Sequence, residues 1–159
     1  MPRFLFVAGT RPPRDAWFGW PDRLGQRGEH VGADGSWFGW RLAAANNREL
    51  ARSGSVFADL DGCRAAVAQL RDSMDTATPA TVVDAATGLR AWHLSIDGEL
   101  VAVSARRYHR QRECLYSLAH FLAAARIAQV SSTPPRGARL PVRDMDTASA
   151  GDLAGIGGA

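Results

Sequence analysis

Lysine is missing altogether: all 19 basic residues of the 159-residue chain are arginine, set against 16 acidic ones. The net charge of +3 invites a nucleic-acid reading, yet cutting the chain after residues 35, 79 and 130 leaves segments of +1, 0, +2 and 0. No segment is a strongly basic domain, and arginine-only usage beside abundant alanine and glycine fits a GC-rich coding background. Cysteine is scarce as well. Two residues, Cys63 and Cys114, make no disulfide framework and point to a reduced, cytoplasmic setting. No apolar run approaches the roughly 18 to 20 residues that a bilayer core requires. Phe4 to Ala8 is apolar but is followed at once by Arg11-Pro12-Pro13-Arg14, the wrong length and flank for a signal peptide. His-x-x-x-His and Cys-x-x-Cys spacings are also missing, so no metal site and no cofactor are expected.

What is present is a repeat. Trp40, Leu42 and Ala44 alternate with Arg41, Ala43 and Ala45, and Trp92, Leu94 and Ile96 alternate with His93, Ser95 and Asp97. Period two with one polar face means a half-buried strand. Asn46-Asn47 and Asp97-Gly98 then tolerate the positive φ of a tight hairpin turn. Ser53, Phe57 and Cys63 recur 51 residues on as Ser104, Tyr108 and Cys114. Ser53 and Ser104 are expected to close the second hairpin strand onto the helix entry by a hydrogen bond. Shorter leading strands are predicted at Glu29 to Gly32 and Thr81 to Ala85. Leu60, Cys63, Val67, Leu70 and Met74 form one apolar helical stripe, with Asp59 placed to cap it, and Cys114, Leu118, Phe121 and Ala125 occupy the same positions downstream. Both cysteines are expected to be buried and inert.

The hairpin pattern Trp40, Leu42, Ala44, Asn46, Asn47, Glu49 and Leu50, then Ser53, an aromatic at Phe57 and an amphipathic helix, resembles the YegP-like family. Its members are small prokaryotic proteins built of one or two copies of a domain of unknown function. The resemblance spans Glu29 to Val130. It departs where the family opens the helix with Ser or Thr, since Ala58-Asp59 and His109-Arg110 stand there. It implies an α+β fold in which two tandem βββα units join about a pseudo-twofold axis. They form one antiparallel sheet with both helices, near 59–74 and 110–128, on one face. The expected organisation is an N-terminal aromatic extension (1–28), a first unit (29–74), a linker (75–80), a second unit (81–130) and a disordered tail (131–159). The resemblance implies no activity.

Two features stand out as sites. Trp17-Phe18-Gly19-Trp20 recurs verbatim as Trp37-Phe38-Gly39-Trp40. The first copy has no slot in the unit, so Trp17, Phe18 and Trp20 form either a flap over the sheet or an exposed aromatic platform for a partner. Arg106, Arg107, Tyr108, Arg110 and Arg112 concentrate charge where a strand hands over to a helix. Their alternatives are a solvated edge or a contact for phosphate or nucleic acid. No nucleophile, base and orienter occur together in a recognisable pattern, so an enzyme ranks third. An interaction module docking a protein partner or another copy ranks first, and a weak nucleic-acid or phosphate binder second. His93 and His109 share one unit and invite a pairing with Asp97, but nothing in the spacing requires it.

Overall fold

The computed structural model describes residues 1–10, 28–29 and 32–135. The elements in order are β1 (Arg3–Gly9), β2 (Gly28–Glu29), β3 (Trp37–Ala43), β4 (Glu49–Ser53), β5 (Ser55–Val56) and α1 (Leu60–Asp72). A 3-10 turn (Met74–Thr76) leads to β6 (Thr78–Val83), β7 (Arg90–Ile96), β8 (Glu99–Ser104), α2 (Gln111–Ile127) and β9 (Gln129–Val130). Seven strands form one sheet in the order β6-β7-β8-β4-β3-β1-β9, while β2 and β5 pair separately. The protein is α+β.

The hairpins follow from their turn residues. Asn47 sits at φ 68°, and Asp97 and Gly98 at 52° and 83°, the left-handed region that a two-residue turn needs. In the first turn Asn47 N–H donates to the Ala44 carbonyl, and Ala44 N–H to the Arg48 carbonyl. At the start of α1 the Asp59 carboxylate accepts from Gly62 N–H at 2.6 Å, capping the helix as expected. Arg110 opens α2 with no side-chain cap.

Alternation decides the faces. Phe4 and Phe6 of β1, Trp40 and Leu42 of β3, and Trp92 and Leu94 of β7 share one buried cluster with Cys63, Val67 and Leu70 of α1 and Cys114, Leu118 and Phe121 of α2. Both helices therefore cover the same face of the sheet. Phe4 and Trp40 meet edge to face at 5.3 Å between ring centroids, and the Arg64 guanidinium lies over the Phe6 ring. Arg71 Nη2 of α1 donates to the Arg126 carbonyl of α2 at 3.4 Å, and Arg126 Nη2 reaches Asp75 Oδ1 of the 3-10 turn at 3.0 Å.

The structure corrects three expectations. The neighbour of β3 in the main sheet is β1, in full antiparallel register from Arg3 opposite Ala43 to Gly9 opposite Trp37. Of the predicted strand from Glu29 to Gly32, Glu29 belongs to β2, which pairs parallel to β5, while residues 30 and 31 lie outside the described residues. Burial favours β1 beside β3, because it brings Phe4 and Phe6 to the helix face. Second, the sheet is mixed and not wholly antiparallel, because β9 runs parallel to β1. Ser131 N–H extends that pairing by donating to the Phe4 carbonyl, so the chain stays attached to the sheet at Ser131. Third, β6 begins at Thr78, inside the stretch read as linker. Pro79 is tolerated there because β6 is an edge strand. The expected tail beyond residue 135 lies outside the described residues.

Cys63 and Cys114 are unpaired and fully buried. Burial pushes the Cys63 thiol up to about 12 against a slight pull from Arg64, and raises Cys114 against a pull from Arg90. At neutral pH neither thiol supplies thiolate, so labelling of the native protein with an aromatic disulfide should run at least about a hundredfold slower than in denaturant. Labelling at the denatured rate would mean that the helix faces are wrongly assigned. The linkage has a definite sign. The unfolded thiol loses its proton near pH 8.5 while the native one keeps it, so this contribution is complete below that pH and is lost as pH rises above it.

Candidate functional site

The turn from Ala105 to Arg110 is held from beneath. Ser104 Oγ accepts from Trp92 N–H at 3.3 Å and donates to the Arg106 carbonyl at 2.8 Å. Ser53 Oγ likewise accepts from Trp40 N–H at 3.3 Å. The bond from Ser104 to Arg106 reaches toward the helix entry as expected, whereas the Ser53 bond ties β4 to β3 within the hairpin instead. Tyr108 exchanges both backbone hydrogen bonds with Arg90 at 2.7 Å. The Tyr108 hydroxyl donates to Ser117 Oγ at 2.8 Å, and the Trp92 indole N–H donates to the same oxygen at 3.0 Å. The Arg90 guanidinium completes the clamp, with Nη1 on the His109 carbonyl and Nε on Gln111 Oε1. Every one of these partners is internal, so the turn projects its remaining side chains outward on a fixed base.

Arg106, Arg107 and His109 project from this turn and are exposed. They border a groove of about 530 Å³ whose other walls are Arg48, Glu49 and Leu50 at the start of β4, and Arg112, Tyr116 and His120 along α2. Tyr108 and Ser117 also line it. Of the residues singled out by sequence, Arg106, Arg107, Tyr108 and Arg112 come together here, while Arg110 stands at the N-cap position of α2, outside the groove lining. Tyr108 serves mainly as floor, its hydroxyl being taken by Ser117. Trp17, Phe18 and Trp20 lie outside the described residues. His93 is not brought to His109: it stands in β7 opposite Ala80 and Val103, where burial lowers the pKa of its imidazole.

Four arginines face two carboxylates across the groove. Glu49 is already engaged, with Arg52 Nε on Oε2 at 2.6 Å. Glu113 stands in the first turn of α2, where the helix dipole favours it. The balance is cationic. Tyr116 is 74% exposed, and its ring lies 6.3 Å from that of His120. Sequence reading missed Arg48, Tyr116 and His120. The spacing Arg112, Tyr116, His120 marks one helix face and was available as a signal. Arg48 was not, because only the pairing of β4 with β8 carries it to this turn.

Helices laid over one face of a sheet built of hairpins define a YegP-type fold. Two solved structures share it. One is yegP from E. coli, described as a protein of unknown function, with a TM-score of 0.50 and 14% identity over 66% of this chain and 88% of that one. The other is the UPF0339 protein SO3888 from Shewanella oneidensis, with a TM-score of 0.52 and 11% identity over 65% of this chain and 86% of that one. At such identities the likeness is one of fold. No protein-family model matches the sequence, and no curated protein does. Among the described residues no helix is long and apolar enough to cross a membrane.

Proposed function

We propose that the chain is a non-catalytic interaction module whose groove at the entrance of α2 docks single-stranded nucleic acid. The observation that carries this reading is the meeting of Arg48, Arg106, Arg107 and Arg112 with an exposed Tyr116 on one groove. Guanidinium groups take phosphate in a bidentate manner, and an exposed ring offers a platform for an unstacked base, worth about 1–3 kcal/mol per base. A rigid turn fits such a site, because little side-chain and loop ordering remains to oppose binding. A cytoplasmic setting, in which buried thiols stay reduced, agrees with it.

With about three phosphates engaged, the affinity for a single strand should fall with a log–log salt slope near −2, close to a hundredfold per decade of salt. Fluorescence anisotropy with a labelled uridine decamer measures this directly. Arg106→Gln, Arg107→Gln and Arg112→Gln together should abolish binding while the far-ultraviolet circular dichroism stays unchanged. Equal, poor binding by wild type and triple variant at low salt would reduce the cluster to a solvated edge. The interaction-module reading would then need another surface.

The same proposal includes a duplicated architecture, two βββα units over 29–74 and 81–130 related by a pseudo-twofold axis. The β4–β8 register supports it: Ala51 faces Ser104 and Ser53 faces Ala102, a pairing that maps onto itself when each residue is exchanged for its counterpart. The matched hydrogen bonds of Ser53 and Ser104 support it too. The first unit then takes its outer strand from Arg3–Gly9, within the 1–28 extension.

A further inference from the structure

We propose that the helix-free face of the sheet carries a second site, for the oxyanion of a small organic ligand, centred on Arg3 and Arg41. Because Phe4, Phe6, Trp40 and Leu42 point to the helices, Arg3 and Arg41 point to the other side. Arg3 stands opposite Ala43 and Arg41 opposite Leu5, so the two guanidinium groups are diagonal neighbours on adjacent strands. Placing two cations there is unfavourable unless an anion joins them.

The local partners offset this only in part. Arg3 Nη2 donates to the neutral Asn47 side-chain oxygen. Arg41 Nη1 lies 3.9 Å from Glu49 Oε1, beyond hydrogen-bond reach. That carboxylate is held by Arg52 through both oxygens, at 2.6 and 3.4 Å. The Nε–H groups of both Arg3 and Arg41 are buried with no acceptor among the described residues. A buried donor left unsatisfied is costly, more so on a charged group.

Both arginines border a groove of about 740 Å³ with no acidic side chain in its lining among the described residues. Asn47 and the segment from Ser131 to Pro135 form its walls. That segment is anchored, since Arg64 Nη1 donates to the Ser131 carbonyl and Thr133 N–H to Ser131 Oγ. Asn47, in a left-handed turn conformation, holds Arg3 from the opposite side. The forked Nε–H and Nη–H of each arginine match the paired oxygens of a carboxylate or phosphate. Leu5, Ala43 and the two prolines leave an apolar wall for the body of the ligand. The space suits a small molecule better than a polymer.

The test follows the Nε–Hε resonances of Arg3 and Arg41 by proton–nitrogen NMR during titration with phenyl phosphate and, separately, benzoate. Saturable downfield shifts of both signals are expected with at least one probe. Phenyl phosphate alone assigns a phosphate ester and benzoate alone a carboxylic acid. Arg41→Gln should weaken binding at least tenfold. Arg3→Lys, which keeps the charge but removes the fork, should weaken it similarly and covers the case in which the first variant does not fold. The variant lacking Arg106, Arg107 and Arg112 should bind the probe as wild type does, separating this site from the α2 groove. Unmoved resonances with both probes, or unchanged affinity in Arg41→Gln or Arg3→Lys, would overturn the assignment.

Discussion

Trp92→Ala is expected to destabilise the protein by about 3–5 kcal/mol, the range for removing a large aromatic from a packed core. Trp92 is fully buried, and its ring packs on Phe121 of α2 with centroids 4.9 Å apart. Its indole N–H is one of two donors on Ser117 Oγ. Truncation would leave a cavity and remove one tie between β7 and α2. Against a typical stability of about 5–15 kcal/mol, the loss takes about a fifth of the total at least and nearly all of it at most. Urea unfolding should show a large drop in midpoint with little change in slope. Leu115→Ala, on the same chain but 45% exposed, should stay within about 0.5 kcal/mol. A Trp92 variant as stable as the Leu115 variant would remove Trp92 from the core.

Gly9→Val is the second large effect, expected at about 3 kcal/mol, the upper end of ordinary overpacking. Gly9 pairs with Trp37 across β1 and β3. A Cβ at Gly9 would stand 2.4 Å from the Trp37 ring, and that ring is fully buried and has no room to retreat. The glycine is there because the indole lies across it. A double-mutant cycle isolates the cause. Gly9→Ala should be clearly destabilising in wild type and nearly neutral beside Trp37→Leu, giving a coupling above about 1 kcal/mol. Additive effects would mean that Trp37 is not what crowds Gly9.

Most of this architecture is legible in the sequence wherever the signal is local. The apolar stripe from Leu60 to Leu70 gives α1, and Asp97-Gly98 gives its hairpin, because both depend on residues a few positions apart. The place of β1 is not legible. Its apolar residues do not alternate with polar ones, so its period is hidden, and no turn signal joins it directly to its partner Trp37–Ala43. The two residues of β9 have no period at all; only the neighbouring β1 makes them a strand. At the α2 groove the charge run is visible, yet its opposite wall is not. Arg48 arrives there through pairing between distant hairpins.

The flanking of β1 by β3 and β9 has a consequence for biosynthesis. A ribosome releases Arg3–Gly9 first and its antiparallel partner Trp37–Ala43 soon after, but Gln129–Val130 only once α2 has emerged. Until then the outer edge of β1 has open backbone donors and acceptors on a strand containing two phenylalanines, a template for misdirected pairing with a second nascent chain. Closure depends on one of the longest sequence separations in the molecule, the kind of contact that forms late. The short β9 is therefore a clasp more than a layer of the sheet. Its Gln129 N–H on the Pro2 carbonyl and the neighbouring Ser131 N–H on the Phe4 carbonyl cover the first end of an edge that growing chains would otherwise share.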